Sequence, residues 1–506
     1  MNIEYDLCVI GGGINGTGIA RDAAGRGLSV LLVEADDLAG GTSSMSTKLI
    51  HGGLRYLEYG QFRLVREALK ERETLLGLAP HLIRPVEFVL PHDPQARPYW
   101  MIRAGLFLYD HLAPRKKIVR SRSLDLSLAE AGWPLEAHEA TKKGFAYFDC
   151  WADDARLVIL NAVDAATRGA TILTRTACAR ITPQEDRYEL DLRTPDGRTM
   201  RTSASAVINA TGPWVQDVLE NAGLPASDDA DRPKIRLVKG SHLIVKKIYD
   251  GPQAYILQQP DRRIVFAIPY EKDYTLIGTT EEDYSGDPRE ARISEEETAY
   301  LIRAVNSAFT HKIDKQDALW SYSGVRPLFD DGEASATLAT RDYRLYEHQH
   351  PRPMISVFGG KLTTYRVLAE RAVTRILDMQ GREIAPWTAD SPLPGGRIPD
   401  GDIDAFIWQK EKDYPFLPPD MLERYAHAYG TRMDLFLEGA ARLNDLGTHF
   451  GDQVYEAEIL YLLRCEWAQT AEDILWRRSK LGLHVTDQTA QRLEQAVPRL
   501  MEALAA

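Results

Sequence analysis

The sequence predicts an α/β fold (α+β over the whole chain) in which an N-terminal βαβ unit precedes an antiparallel sheet and a helical C-terminal region. Residues 5–10 and 28–34, YDLCVI and LSVLLVE, are nearly continuously apolar, as strands buried on both faces of a parallel sheet are. Between them, GGGINGTG leads into TGIARDAAGRG, which predicts a glycine-rich turn followed by a helix. Beyond about residue 402 the chain is rich in Leu, Ala, Glu and Arg and is mostly helical in pattern.

Alternation of apolar and polar residues predicts antiparallel strands in the middle of the chain. YELDLRT (188–194) alternates, turns at Pro195-Asp196-Gly197 and returns through a second alternating segment into AVINATG, which predicts a hairpin. Strand-like runs between about 230 and 280 predict a separate sheet. Residues 354–377 predict a strand, a glycine pair and a long helix, and the Pro/Gly-rich segment 388–402 predicts a linker.

Length, charge and cysteine content limit the class of protein. A chain of 506 residues is long enough for two or three domains. The formal net charge of −12 argues against a general nucleic-acid surface, so we expect no nucleic-acid partner. The four cysteines lie far apart without a CxxC pair, which is typical of reduced thiols in the cytosol. Since no apolar run is long enough to span a bilayer and no leader is evident, we expect a cytoplasmic protein or one attached to the inner face of the cell membrane.

The glycine-rich turn predicts a dinucleotide site. Gly11, Gly13 and Gly16 form a GxGxxG pattern that follows a strand and opens a helix, and Glu34 ends the next strand. The first glycine permits the tight turn, the second lets a pyrophosphate approach the backbone, and the third lets the helix pack on the strand. The phosphates then meet the N–H groups of the helix N-terminus, and Glu34 accepts hydrogen bonds from the adenosine ribose.

Features outside this unit favour FAD over NAD as the cofactor. A hydroxyl-rich loop with Thr42, Ser43, Ser44 and Lys48 follows the second strand. The distant segment AVINATGPW resembles the strand-end ATG turn of FAD-binding folds. A second segment, VFGGKLTTYR, places a glycine pair and a helix N-terminus where they would face the flavin pyrimidine. A helix N-terminus stabilises the negative charge that develops there on reduction.

Several strings together resemble one family closely, the aerobic FAD-dependent glycerol-3-phosphate dehydrogenases of bacteria. The resemblance runs from about residue 4 to about residue 485 and rests on GGGINGTGIARDAAGRGLSV, TSSMSTKLIHGGLRYLE, INATGPWV, IGTTEEDYSGDP, YSGVRPL, FGGKLTTYR and AEDILWRRSKLGL. It implies oxidation of sn-glycerol 3-phosphate to dihydroxyacetone phosphate by hydride transfer to FAD N5, with electrons passed on to a membrane quinone. It also implies a membrane-associated homodimer. An oxidase that uses oxygen and a non-catalytic flavin-binding scaffold remain alternatives.

The resemblance also implies three domains. These are a glutathione-reductase-type FAD domain (1–75, 150–225 and 321–387), a substrate domain with an antiparallel sheet (76–149 and 226–320) and a C-terminal helical cap (388–506). The cofactor contacts we expect are Gly11, Gly13, Ile14, Asn15, Gly16, Glu34, Ala35, Thr42, Ser43, Ser44, Lys48, Leu49, His51, Cys178, Ala210, Thr211, Gly212, Gly360, Lys361, Leu362 and Thr363.

The substrate phosphate requires positively charged side chains to bind it, and the best Arg and Lys candidates match positions that the family uses. We expect Arg55, Arg326 and Lys361 in direct contact with the substrate. Tyr56, Thr279 and Arg341 are expected beside them. For any single arginine, a surface or interdomain salt bridge is the simpler interpretation, and it weighs most heavily for Arg341.

Oxidation of the alcohol also requires a base for the hydroxyl proton. His51 lies between the hydroxyl-rich loop and Arg55, which predicts a place near the reactive face of the flavin. It is equally open to a role in orienting the flavin or Arg55, and His242 is a rival base. Arg326 is expected to assist by lowering the pKa of the bound hydroxyl. Covalent attachment of the flavin to His51 or Cys178 is not required by any residue.

Two further segments have patterns typical of a membrane-contacting helix and of a calcium-binding loop. Residues 98–120 join an aromatic, apolar helix to a basic cluster, which suits a membrane interface or, alternatively, a buried helix with a solvated basic loop. Asp400, Asp402, Asp404 and Glu411 have calcium-loop spacing, but Ala405 replaces the glycine that such a loop needs. An acidic helix N-terminus explains them more simply, so we expect no metal.

Overall fold

The computed structural model describes residues 4–93, 97–136, 142–222, 233–330 and 342–505. In chain order the strands are β1 (Glu4–Tyr5), β2 (Leu7–Ile10), β3 (Val30–Val33), β4 (Leu49–Ile50), β5 (Ile83–Pro91), β6 (Arg122–Asp125), β7 (Lys143–Ala152), β8 (Thr171–Leu173), β9 (Ala177–Pro183), β10 (Tyr188–Arg193), β11 (Thr199–Ala204), β12 (Val207–Asn209), β13 (Ile235–Lys246), β14 (Ala254–Gln258), β15 (Ile264–Tyr270), β16 (Tyr274–Gly278), β17 (Glu282–Asp283), β18 (Trp320–Phe329), β19 (Tyr343–His348), β20 (Met354–Gly359), β21 (His449–Gly451) and β22 (Val454–Tyr455). The α-helices are α1 (Ile14–Gly25), α2 (Phe62–Leu78), α3 (Tyr99–His111), α4 (Asp154–Thr167), α5 (Val215–Glu220), α6 (Glu295–Ala308), α7 (Tyr365–Met379), α8 (Ile403–Asp413), α9 (Pro419–Tyr429), α10 (Asp434–Leu437), α11 (Glu456–Cys465) and α12 (Asp487–Ala505).

A six-stranded sheet in the order β19-β20-β12-β2-β3-β8 forms the centre of the N-terminal region. All adjacent strands of this sheet are parallel except β19 and β20, which are antiparallel. Strand β2 contributes Leu7 and Val9 to a core shared with α1, α4 and α7, whereas Cys8 and Ile10 pack with the small sheet β1-β11-β10-β9 on the other face. Both faces are covered, which is why this strand is apolar at every position. The predicted βαβ unit is confirmed, and so is the predicted β10–β11 hairpin.

The separate sheet predicted for residues 230–280 is larger than the sequence indicates. Its main path runs β17-β13-β16-β15-β14-β5-β7-β4, with β18 paired to β13 and β6 to β7. Strand β18 pairs with β13 from Ile235↔Phe329 to Ile244↔Trp320, so it belongs to this sheet and not to the region beginning at residue 321 that we assigned to the cofactor domain. The last nine residues of β18, 321–329, therefore correct that boundary, because hydrogen-bond partners and not apolar pattern decide to which sheet a strand belongs.

The C-terminal helices have a core of their own and dock against the rest of the protein. Met421, Tyr425 and Leu462 are among its fully buried side chains. The predicted linker is packed rather than free, since a Cβ atom at Gly395 would lie 2.2 Å from the Tyr429 carbonyl oxygen. Across the same boundary, buried Arg156 of α4 pairs with buried Glu466, with 2.9 Å between Nη2 and Oε1.

The acidic segment after the linker is a helix start, as predicted. The Asp402 carboxylate accepts a hydrogen bond from Ala405 N–H at 3.0 Å and caps α8. Within the described residues, no group of three or more potential metal-ligating side chains is found. In the same part of the chain, none of the helices has the length and apolar character needed to cross a bilayer.

Candidate functional site

A cavity of about 1460 Å³ lies where the carboxyl ends of β2, β3, β12 and β20 meet the large sheet. The first side is marked by Gly11, Glu34, Ala210 and Gly360, and the second by side chains of β7, β14, β15 and β18. Ligands of open α/β sheets bind at the carboxyl ends of the strands. Since ordinary small-molecule pockets span roughly 300–1,000 Å³, this cavity has room for a dinucleotide and a second molecule.

The turn between β2 and α1 is closed to any side chain at two positions. Gly11 has φ +108°, and a Cβ atom on it would lie 2.6 Å from the Ala210 carbonyl oxygen. A Cβ atom on Gly16 would lie 1.8 Å from the Gly11 carbonyl oxygen, so Gly16 packs the helix on the turn and does not line the cavity. Gly13, at the N-terminus of α1, has no side chain to cap the helix and borders the cavity, so an anion bound there would meet the start of the helix.

Glu34 is held in place at the cavity wall. Its carboxylate accepts hydrogen bonds from Gly12 N–H at 2.6 Å and from Asp36 N–H at 2.8 Å. Burial raises the pKa of the Glu34 carboxyl, and the two N–H groups oppose that rise. The side chain that we expect to bind a ribose is thus fixed by the turn that carries the phosphate site.

The hydroxyl-rich loop divides into residues that line the cavity and residues that do not. Thr42 and Ser43 line it, and Ser43 Oγ accepts the Ile14 N–H at 3.0 Å. Ser44 and Lys48, also expected as cofactor contacts, are absent from the lining. The Lys48 ammonium is buried against the Asp154 carboxylate at 2.8 and 3.0 Å, because a buried cation needs a paired anion.

The other expected cofactor residues are brought together from distant parts of the chain. Those that line the cavity are Ile14, Asn15, Ala35, Leu49, Cys178, Ala210, Thr211, Gly212, Gly360 and Leu362. Burial raises the pKa of the Cys178 thiol to about 12, so the thiol stays protonated at neutral pH and is a poor nucleophile.

His51 stands at one end of the cavity with its peptide group fixed. The Thr363 hydroxyl accepts the His51 N–H at 3.1 Å, and Lys361 Nζ donates to the His51 carbonyl oxygen at 2.7 Å. Thr363 therefore supports the site from behind the cavity wall. The Lys361 ammonium also lies 5.3 Å from the centre of the Tyr56 ring. Burial, followed by the positive charges of Lys361 and Arg72, keeps the pKa of His51 well below its usual value of 6.5.

A buried network that the sequence did not reveal supports the next residue. Gly52 N–H donates to Tyr109 Oη at 2.8 Å, Tyr109 donates to the Asp149 carboxylate at 2.8 Å, and Arg72 Nη1 donates to the same carboxylate at 2.7 Å. A Cβ atom on Gly52 would lie 2.6 Å from Tyr109 Oη, which explains a glycine immediately after His51. No spacing connects residues 52, 72, 109 and 149, so only the fold identifies them.

Two expected arginines and a threonine also line the cavity. Arg326 Nη2 donates to Thr279 Oγ1 at 3.0 Å, and its Nη1 lies 3.6 Å from Glu281 Oε1. Arg55 lies in the 3₁₀ turn Leu54–Tyr59, where its Nη2 lies 3.4 Å from Tyr59 Oη. Arg55, Arg326 and Thr279 all border the cavity, whereas Arg341 lies outside the described residues.

His242, the rival base, lies one layer away from the cavity. Its ring stacks on Tyr322 with 4.7 Å between centroids, and Nε2 is 2.9 Å from Thr47 Oγ1. The His242 side chain is fully buried and Thr47, not His242, lines the cavity. Burial, followed by the charges of Arg326 and Lys48, keeps the pKa of His242 well below its usual value.

Comparison with known proteins agrees with this geometry. Residues 6–366 match the family of FAD dependent oxidoreductases, and residues 386–505 match the C-terminal domain of alpha-glycerophosphate oxidase. The chain is 51% identical to D-erythritol 1-phosphate dehydrogenase of Brucella abortus (95% of each chain covered). It is 50% identical to glycerol-3-phosphate dehydrogenase of Pseudomonas aeruginosa (97% and 94% covered) and 46% identical to aerobic glycerol-3-phosphate dehydrogenase of Escherichia coli (97% and 96%).

A solved structure extends the agreement to the fold. The FAD complex of glycerol-3-phosphate dehydrogenase from Bacillus halodurans aligns with a TM-score of 0.76 at 27% identity, covering 99% of this chain and 94% of that one. The resemblance, the fold class and the FAD cofactor predicted from sequence are confirmed.

Replacement of Gly16 by Ala tests the packing of α1 on the turn. The added methyl group would meet the Gly11 carbonyl oxygen, so we expect purified Gly16→Ala protein to contain almost no flavin, measured by visible absorbance per protein. Gly77→Ala is the matched control, because Gly77 is an exposed residue of α2 with no atom within 4 Å of the new methyl group. The control should keep its flavin and gain about 0.4–1 kcal/mol of stability. A yellow Gly16→Ala protein would contradict this account of the turn.

Proposed function

The chain belongs to the FAD dependent oxidoreductase family, and from that premise we propose that it oxidises sn-glycerol 3-phosphate to dihydroxyacetone phosphate and passes the electrons to a membrane quinone. The observation that carries the proposal is that Arg55, Arg326 and Lys361 line the same cavity as His51, with Lys361 Nζ 2.7 Å from the His51 carbonyl oxygen. Cations next to a base suit a phosphorylated alcohol, since the phosphate needs charge and the hydroxyl needs a proton acceptor. Relatives at 46–50% identity are named glycerol-3-phosphate dehydrogenase, which supports the first part of this proposal.

The residues at the dinucleotide turn fit FAD. Gly11 and Gly13 leave room for a pyrophosphate at the start of α1, and Glu34 offers carboxylate oxygens to a ribose. Gly360 and Leu362 line the cavity ahead of α7, where peptide N–H groups suit an anionic pyrimidine edge. FAD supplies the hydride acceptor when bound.

Phosphate recognition is assigned to the arginines. Thr279 and Glu281 hold the Arg326 guanidinium on the cavity wall, and such a planar fork suits two phosphate oxygens at once. Arg55, in the turn Leu54–Tyr59, and Lys361, after β20, would add positive charge to the same cavity. The Tyr56 ring lies beside the Lys361 ammonium. Arg341 is retained as a further proposed contact.

We assign the proton of the reacting hydroxyl to a ring nitrogen of His51. A base must be neutral before it accepts a proton, and the low pKa keeps His51 neutral at pH 7. The Lys361 and Arg72 charges that lower this pKa also favour onward release of the proton. If His51 only orients its neighbours, replacing it should leave the acid limb of the kcat/KM–pH profile nearly unchanged.

Quinone access is assigned to α3. Met101, Ile102 and Leu108 line the cavity from this helix, while Trp100 and Phe107 on its outer surface are 71% and 55% exposed. Lys116, Lys117 and Arg120 follow the helix and would meet anionic headgroups. This arrangement favours attachment to the inner face of the cell membrane over the fully buried helix that was the alternative. The expected homodimer remains a proposal, to be tested by light scattering.

A four-carbon substrate is the second candidate. The relative at 51% identity is named for D-erythritol 1-phosphate, and identity to the glycerol-3-phosphate dehydrogenases is no higher. Both substrates present a phosphate and a secondary alcohol, so the same Arg and His side chains suit either one.

Anaerobic addition of each substrate distinguishes these activities. We expect sn-glycerol 3-phosphate to bleach the visible flavin band and a quinone analogue to restore it. Faster bleaching by D-erythritol 1-phosphate would favour the second candidate, and reoxidation by oxygen at the same rate as by quinone would favour an oxidase. A band that neither substrate bleaches would overturn the phosphate site.

The base assignment predicts the effect of His51→Asn and of pH. The variant should keep its FAD and lose about 10²–10⁴-fold in kcat/KM, the usual worth of general base catalysis. In the native protein the folded-state pKa of His51 is depressed, so the neutral form persists as pH falls through 6.5 and the acid limb of kcat/KM attributable to His51 should lie below pH 6.5. A full loss of activity already at pH 6.5, or an unchanged rate in His51→Asn, would remove His51 from the role of base.

Membrane contact by α3 predicts a loss of vesicle binding. We expect the double variant Trp100→Ser/Phe107→Ser to sediment with anionic phospholipid vesicles at least tenfold less than the native protein, because both exposed side chains would enter the interface. Trp408→Ser is the matched control, since Trp408 is 59% exposed and lies on α8 rather than on α3 or in the basic segment that follows α3. Equal losses in the two proteins, or none in either, would contradict the assignment.

A further inference from the structure

We propose that the C-terminal helical domain completes the cofactor site by holding the adenosine-binding turn, with Arg477 and Arg478 as positioning residues for FAD. The turn comprises residues 34–37, which follow β3. The proposal depends on the cofactor and not on the identity of the substrate.

The turn is anchored on one side by its own domain. Glu34 accepts the N–H groups of Gly12 and Asp36, and Thr176 N–H donates to the Glu34 carbonyl oxygen at 2.7 Å. Arg175 N–H donates to the Asp36 carbonyl oxygen at 2.7 Å. These contacts fix the backbone from Glu34 to Asp36. The Asp37 carboxylate has Arg175 of the same domain at 3.9 Å, between Nη1 and Oδ1, which is beyond hydrogen-bond distance.

The C-terminal domain holds that side chain. Arg478 donates from Nη2 to Asp37 Oδ1 at 2.8 Å and from Nη1 to Oδ2, and Arg477 donates from Nε to Oδ2 at 2.5 Å. Arg478 is fully buried and Asp37 is 3% exposed, so water does not weaken these contacts. Arg478 also donates to the Glu466 carbonyl oxygen at 2.9 and 2.6 Å, which ties the pair to the end of α11.

Both arginines lie in an unusual backbone segment. Asp473–Arg478 forms a π-helical turn, a conformation that is rare and frequent at functional sites. Its first residue, Asp473, is buried and accepts from Arg175 Nη2 at 2.8 Å and from the N–H groups of Gln469 and Thr470. The π-helical turn thus directs both arginines towards residues 34–37, and its Asp473 carboxylate also holds Arg175.

One of the two arginines reaches the cavity itself. Arg477 lines it together with Glu472, beside Glu34, Asp36, Asp37 and Arg175. The acid that ends the second strand of a dinucleotide unit binds the adenosine ribose, so this wall belongs to the adenosine half of the cavity. Affinity for that half should therefore depend on a contact made about 440 residues farther along the chain.

Titration of the apoprotein with FAD tests the proposal. We expect Arg477→Gln to raise the Kd for FAD at least tenfold, followed by quenching of flavin fluorescence. Competition by ADP, which carries only the adenosine half, should weaken by a similar factor. Arg492→Gln is the matched control, because Arg492 belongs to the same domain, does not line the cavity and donates to the Phe450 carbonyl oxygen at 3.1 Å. Its Kd values should stay within twofold of native.

Asp37→Asn provides a second variant that keeps the shape of the side chain. It should also raise both Kd values, and the double variant should raise them by less than the product of the single effects. The apoprotein melting temperature, followed by circular dichroism, should fall by no more than a few degrees in Arg477→Gln. Unchanged FAD affinity in both variants would overturn the proposal. So would weaker FAD binding with unchanged ADP competition, or a loss of affinity that only follows a collapse of the melting temperature.

Discussion

The close contact between the start of α1 and the turn after β2 is the constraint on which the cofactor site depends. Two positions in that contact, Gly11 and Gly16, have no room for a Cβ atom. Because the helix lies so near the turn, its N-terminus borders the cavity and the Gly12 N–H reaches the Glu34 carboxylate. The proposed phosphate and ribose contacts therefore both depend on one packing contact.

A second set of contacts assembles the region around His51, where we propose that the reaction takes place, from three segments that are distant in sequence. The His51 peptide lies between Lys361 and Thr363 on one side and the Tyr109–Asp149–Arg72 network behind Gly52 on the other. Each group in the network is buried and bonded, so the position of His51 is fixed before any ligand enters. The same lysine that holds the His51 carbonyl oxygen also lowers the pKa of the ring.

Local pattern predicted much of this architecture, and non-local partners account for what it missed. The βαβ unit, the β10–β11 hairpin and the Asp402 cap are decided by neighbours a few residues apart, which periodicity and spacing reveal. The sheet to which β18 belongs depends on β13, about 85 residues away, and the direction of the Lys48 side chain depends on Asp154. A loop rich in hydroxyl groups predicts a polar ligand, but it does not say which of its side chains will instead pair with a distant buried carboxylate.

The C-terminal domain illustrates the same limit at the scale of a domain. The sequence predicts that this domain is helical. It does not predict the contribution to the cofactor cavity, because that depends on the contact of Arg477 and Arg478 with Asp37 in the folded protein. Arg156 and Glu466 make a second buried ionic contact across the same boundary, and the residues before α8 are packed rather than free. Ion pairs that lose so much hydration contribute little net stability when both partners are counted, but they are severely unfavourable when one partner is misplaced. Such pairs therefore select one docked arrangement of the two parts, which is what a cofactor bound along their boundary requires.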